Sequence, residues 1–318
     1  MRTAFIKILT ELARKDKNIY LLTGDLGFSV FEEFAQKFPE RYINCGVAEQ
    51  NMIGVAAGLA LNGKKVVVYS IVPFVTMRCF EQIRNDICLQ NLDVKIVGVG
   101  GGFSYGALGS THHAIEDLAI MRSLPNITVL CPADPIETEL AVRAMLKLKG
   151  PTYLRLGKSK EENIHLKSFK FQIGKANFIK KGKDITIIGI GPILKNAILA
   201  VETLEKQYDI SIGIISMPTL KPLDKNIVLK AAKETKAIFT IEEHSLVGGL
   251  GSAVAEILAE SKYKILFRRI TLPDKFCKEV GNQEYLREKK GLSVTKIENY
   301  ILKEFTNDKR RTTQKRNF

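Results

Sequence analysis

In this 318-residue chain, Glu49 is the residue most in need of a chemical explanation. It stands in Ile43-Asn44-Cys45-Gly46-Val47-Ala48-Glu49-Gln50-Asn51. Only Gln50 and Asn51 separate it from the small apolar run Met52-Ile53-Gly54-Val55-Ala56-Ala57-Gly58-Leu59-Ala60. That run reads as a tightly packed helix entering a core or an interface, with the carboxylate at its mouth. A buried carboxylate needs a partner, or it takes up a proton. Read alone, Glu49 is equally well a helix N-terminal acid favoured by the helix dipole.

Other reactive side chains gather in three further segments: Asp25 to Ser29, Val72 to Arg78 and Gly100 to His113. Together with Cys45 to Asn51 they supply acids, a serine, an aromatic ring, an arginine and two of the chain's four histidines. The His112-His113 pair follows a glycine-rich loop that permits close approach of ligand to backbone. A histidine there serves as a substrate-oxygen contact or proton relay, or it caps the helix expected from Ala114.

Converging these segments requires a particular scaffold. Residues 4–15 read as an amphipathic helix and 18–24 as a short buried strand ending at Asp25. Then follow a helix at 51–61, a strand at 65–70, a helix at 80–89 and a strand at 94–99 running into the glycine-rich loop. A strand at 127–131, a helix at 135–149 and a strand at 152–156 complete the first unit. Continuous apolar strands between helices indicate a mainly parallel sheet covered on both faces. In such sheets ligands collect beyond the carboxyl ends of the strands, where all four segments fall. A second α/β unit has strands at 184–191, 210–215, 236–241 and 264–270, separated by helices. The fold class is therefore α/β, with two three-layer domains: 1–160, a linker at 161–183, and 184–305. Gly189-Ile190-Gly191-Pro192 resembles half of a dinucleotide fingerprint, but the proline interrupts it and the third glycine is missing.

Composition narrows the function. The formal charge is +14, with 45% hydrophobic residues. Part of the charge lies in a basic tail, 306–318, expected to be disordered. A solubilising role fits it better than nucleic-acid binding, because no aromatic residues are interleaved to stack on bases. No apolar run is long enough for a bilayer. Five scattered cysteines fit reduced thiols and a cytoplasmic setting. No Cys/His cluster has metal-ligand spacing.

Five motifs occur together and in order: Gly24-Asp25-Leu26-Gly27-Phe28-Ser29; Val47-Ala48-Glu49-Gln50-Asn51; Phe80-Glu81-Gln82-Ile83-Arg84-Asn85-Asp86; Thr111-His112-His113-Ala114-Ile115-Glu116; and Glu242-Glu243-His244 with Gly248-Gly249-Leu250-Gly251. In this the chain resembles the transketolase family of thiamine-diphosphate enzymes, over about residues 2 to 300. The family has a diphosphate-binding, a pyrimidine-binding and a C-terminal domain, and the resemblance covers only the last two. The G-D-G…N motif that holds metal and diphosphate has no counterpart, since Gly24-Asp25 is followed by Leu26. The resemblance thus implies the second subunit of a split transketolase. An N-terminal subunit would carry the diphosphate-binding domain and hold Mg2+ or a similar ion, in an α2β2 heterotetramer. A homodimer through the 52–61 helix is the expectation for the chain alone.

The resemblance also assigns roles. Glu49 would hydrogen-bond the aminopyrimidine nitrogen and favour the imino form, which takes the proton from the thiazolium carbon. Asp25 would approach the cofactor from the pyrimidine side, Phe74 would stack on the ring and Phe80 would form a nearby wall. As plain structure, Asp25 is a turn residue and the two rings are core. Arg2, Ser29, His112 and Lys158 match positions that bind a sugar phosphate, with His112 also catalytic. Lys158 stands in place of the usual arginine and loses its two-pronged contact. Gly100 stands where transketolases carry a histidine, and Leu108 where they carry an aspartate. The expected activity is transfer of a two-carbon ketol unit from a ketose phosphate to an aldose. The alternatives are a deoxyxylulose-phosphate synthase-like or 2-oxo acid dehydrogenase beta-type subunit, or a non-catalytic degenerate homologue.

Overall fold

A computed structural model describes residues 1–158, 161–166 and 168–314, with side chains up to 307. The first half runs α1 (Arg2–Lys15), β1 (Ile19–Thr23), α2 (Glu32–Lys37), β2 (Tyr42–Asn44), α3 (Glu49–Leu61), β3 (Lys65–Ile71), α4 (Val72–Val75) and α5 (Phe80–Gln82). It continues through β4 (Val94–Val99), α6 (Asp117–Ser123), β5 (Thr128–Leu130), α7 (Pro135–Met145) and β6 (Thr152–Leu156). The helix expected at 80–89 is present, but from Ile83 to Cys88 it widens to a π-helix. The second half comprises β7 (Asn177–Lys180), β8 (Ile185–Gly189), α8 (Leu194–Gln207), β9 (Ile212–Ser216), β10 (Thr219–Lys221), α9 (Lys225–Glu234), β11 (Ala237–Ser245), α10 (Leu250–Ala259), β12 (Leu266–Leu272), α11 (Gln283–Lys289) and α12 (Val294–Gln314). Among the described residues, no helix is long and apolar enough to cross a membrane.

The first sheet has the order β10-β5-β6-β4-β3-β1-β2 and the second β12-β11-β8-β9-β7. All pairs are parallel except β10 with β5 and β7 with β9. Every residue of β4 and β6 is buried, as expected of strands covered on both faces. One face packs Phe5, Ile8 and Leu9 of α1 together with Ala141, Val142 and Met145 of α7. The other packs Met52, Ile53 and Ala56 of α3. Helix starts follow local chemistry. Pro135 opens α7, and the Asp134 carboxylate accepts from the Glu137 N–H at 2.7 Å.

Two expectations are corrected, and one is refined. Residues 177–180, inside the expected 161–183 linker, form β7, whose apolar Phe178 and Ile179 let it pair with the edge of β9. The two halves each have their own sheet, as expected, and β10 of the second half adds an antiparallel edge strand to the first. Ile188, Ile215 and Leu250 share one core with Leu22, Met52 and Val68. Finally, residues 306–314 of the expected disordered tail continue α12, and 315–318 lie outside the described residues. The buried stripe Ile297, Ile301 and Phe305 anchors that helix. Once nucleated, a helix extends at the gain of one backbone bond per residue.

Candidate active site at the carboxyl edge of the first sheet

The sheet fixes where a ligand can sit. From β1 the chain moves outward to β2, then returns through α3 to β3 on the other side of β1. The strand order reverses between β1 and β3, and the crevice at such a reversal is the usual ligand site of an open α/β sheet. Glu49 is the first residue of α3 and only 1% exposed at that point. Ser70, at the end of β3, donates its hydroxyl to Glu49 Oε1 at 2.8 Å. Gly24, just past β1, leaves room for the carboxylate: a Cβ there would lie 3.2 Å from Glu49 Oε1. The acid is therefore buried, bonded from β3 and lying against Gly24 after β1.

The second carboxylate oxygen faces Arg78, whose Nη1 lies 2.5 Å from Glu49 Oε2. The guanidinium carbon of Arg78 stands 4.3 Å from the centroid of the Phe74 ring. Phe74 meets His112 edge-on, with centroids 5.1 Å apart. His112 lies 6.4 Å from the Tyr105 ring, and Lys158 Nζ stands 4.5 Å from that ring's centroid. Arg2 Nε donates to the Lys158 backbone oxygen at 2.6 Å. One unbroken line of contacts thus joins Glu49, Arg78, Phe74, His112, Tyr105, Lys158 and Arg2. An acid and an aromatic face occupy one end, and two cations the other.

Not every expected residue joins this line. Asp25 is exposed and exchanges hydrogen bonds with Asn44: its N–H donates to Asn44 Oδ1 and Asn44 Nδ2 donates to Asp25 Oδ1, both at 3.0 Å. Ser29 is also exposed, its N–H donating to Glu32 Oε1 at 2.6 Å. It opens onto a groove beside Thr3, Lys7 and Arg14 of α1. Asp25 and Ser29 both have positive φ, 54° and 61°, uncommon for such residues and frequent at functional loops. Phe80 is half-buried against the core shared with Met52 and Ile53. The histidine pair divides. His112 reaches the rim, while His113 packs on Phe103 at 5.1 Å and is held below the usual histidine range by burial. Neither caps a helix, because the next one begins at Asp117.

Three participants have no role assigned from sequence. Arg78 reads there only as a cation in its loop. Its placement four residues after Phe74 is the spacing at which side chains meet on a helical turn. Ser70 carries no signal beyond ending a strand. Tyr105 explains one departure from the family pattern. Gly100 has φ of 89°, and a Cβ there would lie 2.2 Å from Tyr105 ring atoms, so tyrosine fills the volume a larger residue would take. Other expected motifs are structural. Glu242 accepts from the Leu250 and Gly251 N–H groups at 2.7 Å each and so caps α10. Gly191 of the half-fingerprint packs on Cys131, 2.9 Å from where its Cβ would be. Among the described residues, no group of three or more His, Cys, Asp or Glu could hold a metal.

Comparison with known proteins agrees with this architecture. The family model described as transketolase, pyrimidine binding domain, matches residues 1–162, and that of the transketolase C-terminal domain matches 174–297. The chain is 37% identical over 303 residues to an apulose-4-phosphate transketolase subunit of Phocaeicola vulgatus, covering 93% of this chain and 96% of that one. It is 39% identical over 298 residues to a 6-deoxy-6-sulfo-D-fructose transketolase subunit of a Clostridium species, covering 93% and 92%. Among solved structures, a split-gene transketolase described as an inactive beta4 tetramer superposes with a TM-score of 0.86 at 39% identity, over 96% of this chain and 97% of that one.

Proposed function

The chain belongs to the transketolase family, and we propose that within it the protein is the pyrimidine-side subunit of a split transketolase. It would transfer a two-carbon ketol unit from a ketose phosphate to an aldose acceptor, together with a separate diphosphate-binding subunit. The observation that carries this reading is the line of contacts from Glu49 to Arg2, with a buried acid and aromatic face at one end and cations at the other.

The residues present fit thiamine diphosphate at its pyrimidine end. Glu49 has one oxygen fixed by Ser70 and the other directed at a planar cationic group. Phe74 offers a ring face, and Gly24 keeps the space beside the acid free of a side chain. When bound, the cofactor supplies the nucleophilic carbon and the electron sink of ketol transfer. Glu49 would hold or accept a proton at the pyrimidine nitrogen, and Phe74 would fix the ring plane. His112, in contact with Phe74 and bonded through Nδ1 to Thr111 Oγ1 at 3.0 Å, would exchange a proton with a substrate oxygen. Lys158 and Arg2 would attract the phosphate of the sugar. Asp25, Ser29 and Phe80 would line the entry rather than touch the reacting atoms. On this reading the metal and diphosphate would belong to the partner subunit.

An assembly fits the exposed face of α3. Asn51, Gly54, Gly58 and Leu61 are exposed, and a Cβ at either glycine would meet nothing within 4 Å. The bare stripe permits close approach of another helix or subunit, supporting an α2β2 complex. Five unpaired cysteines support a reducing, cytoplasmic setting. The test mixes this chain with its diphosphate-binding subunit, thiamine diphosphate and Mg2+. Ketol transfer between sugar phosphates without carbon dioxide release is the expected result. Pyruvate consumption with carbon dioxide release would replace this reading with a decarboxylating one.

A further inference from the structure

Arg78 does two things at once. It pairs with Glu49 Oε2 at 2.5 Å and lies over the Phe74 ring at 4.3 Å. These are the two residues that would grip the cofactor's aminopyrimidine, one by hydrogen bond and one by stacking. A guanidinium is flat, delocalised, rich in N–H donors and prone to stack on aromatic faces, as a protonated aminopyrimidine is. We propose that Arg78 is a surrogate for the pyrimidine ring: it keeps Glu49 and Phe74 in the cofactor-binding arrangement while the subunit is empty, and it swings out as the cofactor enters. The inference rests on the pyrimidine-side reading above.

The surroundings favour a reversible plug over a permanent bond. Glu49 is held by the fold, with its side chain 1% exposed and its other oxygen on Ser70. Arg78 is not held in this way: its side chain is 39% exposed. It sits in the turn between α4 and α5, tied by its N–H to the Pro73 oxygen at 3.3 Å. Rotation of the side chain exposes the Glu49 oxygen without moving any strand. An exposed alternative position for a long cationic side chain has a low cost, because it regains hydration and rotamer freedom.

A plug competes with its ligand. If the closed form is populated at about 90–99%, the apparent dissociation constant rises by about 10- to 100-fold. The test titrates thiamine diphosphate by calorimetry into the two-subunit complex with Mg2+, using wild type, Arg78→Ala and Arg78→Lys. Arg78→Ala should bind at least fivefold more tightly, and Arg78→Lys, which keeps charge but loses the flat face, should fall between. Equal or weaker binding by Arg78→Ala overturns the proposal. If that variant does not fold, the wild-type association rate decides. It should level off at high cofactor concentration, at the rate of Arg78 departure. A rate rising linearly throughout overturns the plug. Binding with unchanged affinity sinks only this inference, whereas no binding in any mixture sinks the pyrimidine-side reading as well.

Discussion

Two buried glutamates, each paired with an arginine, behave as opposites in this molecule. Glu49, at the sheet edge, has two side-chain partners, and one of them is the half-exposed Arg78. Glu243, in the seam between the two sheets, is saturated. Its Oε1 accepts from the Phe103 N–H at 2.9 Å, and its Oε2 accepts from Arg287 at 2.7 and 3.1 Å, with Gln283 donating to both oxygens. Arg287 itself is 7% exposed and also bonded to Glu284. Saturation from three directions makes Glu243 a clamp between the halves. An acid left with one exchangeable partner at a strand-order reversal is available for a ligand. On the proposed reading, what separates the structural acid from the functional one is the partner's exposure, since both carboxylates are buried.

The largest effect should fall on the clamp. Arg287→Ala leaves Glu243 buried without its cation and should lower unfolding free energy by about 3–5 kcal/mol, read from urea denaturation. Arg78→Ala should cost about 1 kcal/mol or less in the same assay, because water enters where the side chain was. Equal losses would erase the distinction between the two acids.

A third buried acid sharpens the contrast. Glu137 accepts from the Ala133 N–H at 2.6 Å and from Ser216 at 3.0 Å, with His165 Nε2 at 3.6 Å. Burial pushes its pKa from 4.5 up to about 7. A raised folded-state pKa gives stability that is full below 4.5 and lost as pH rises through about 7. His165, which burial alone would lower, is raised above 6.5 by its bond to Asp134 and acts with the same sign at higher pH. Asp134, which burial alone would raise, is held below 3.8 by bonds from His165 and from backbone N–H groups, and loses its contribution only in more acidic solution. Glu137→Gln should therefore flatten a decline of roughly 3 kcal/mol between these limits, measured by denaturation across pH. An unchanged slope would contradict this role for Glu137.

A small stability change should also come from a glycine at the sheet edge. Gly24→Ala brings a Cβ to 3.2 Å from the Glu49 carboxylate, which requires a shift of a few tenths of an ångström. It should cost about 1 kcal/mol or less in stability yet weaken cofactor binding several-fold in calorimetry.

Much of this arrangement is legible in the residues themselves. The apolar runs at β3 and β4 and the polar loops after them place the ligand edge, because strand burial and loop chemistry are local properties. Glu49 at the mouth of a small-residue helix is visible for the same reason. Contacts between distant segments are not. β10 is three residues long and joins a sheet made by residues up to 156; nothing local marks it. His112 and His113 look alike in sequence, but alternate backbone directions send one to the rim and the other to the core. Arg155 is buried with its Nε 3.0 Å from Asp117, a pairing across distant segments that no local pattern marks. Arg78 can be named as a cation but not as the partner of Glu49, since their meeting depends on β2 and β3 flanking β1.

If Glu49 serves the cofactor and not the fold, the most direct test is Glu49→Gln in the two-subunit complex, with ketol transfer, cofactor affinity and melting temperature measured together. The expected result is a loss of about 10²- to 10⁴-fold in turnover, weakened cofactor binding and a melting temperature within a few degrees of wild type. Full turnover in the variant would contradict that role, as would a loss explained entirely by unfolding.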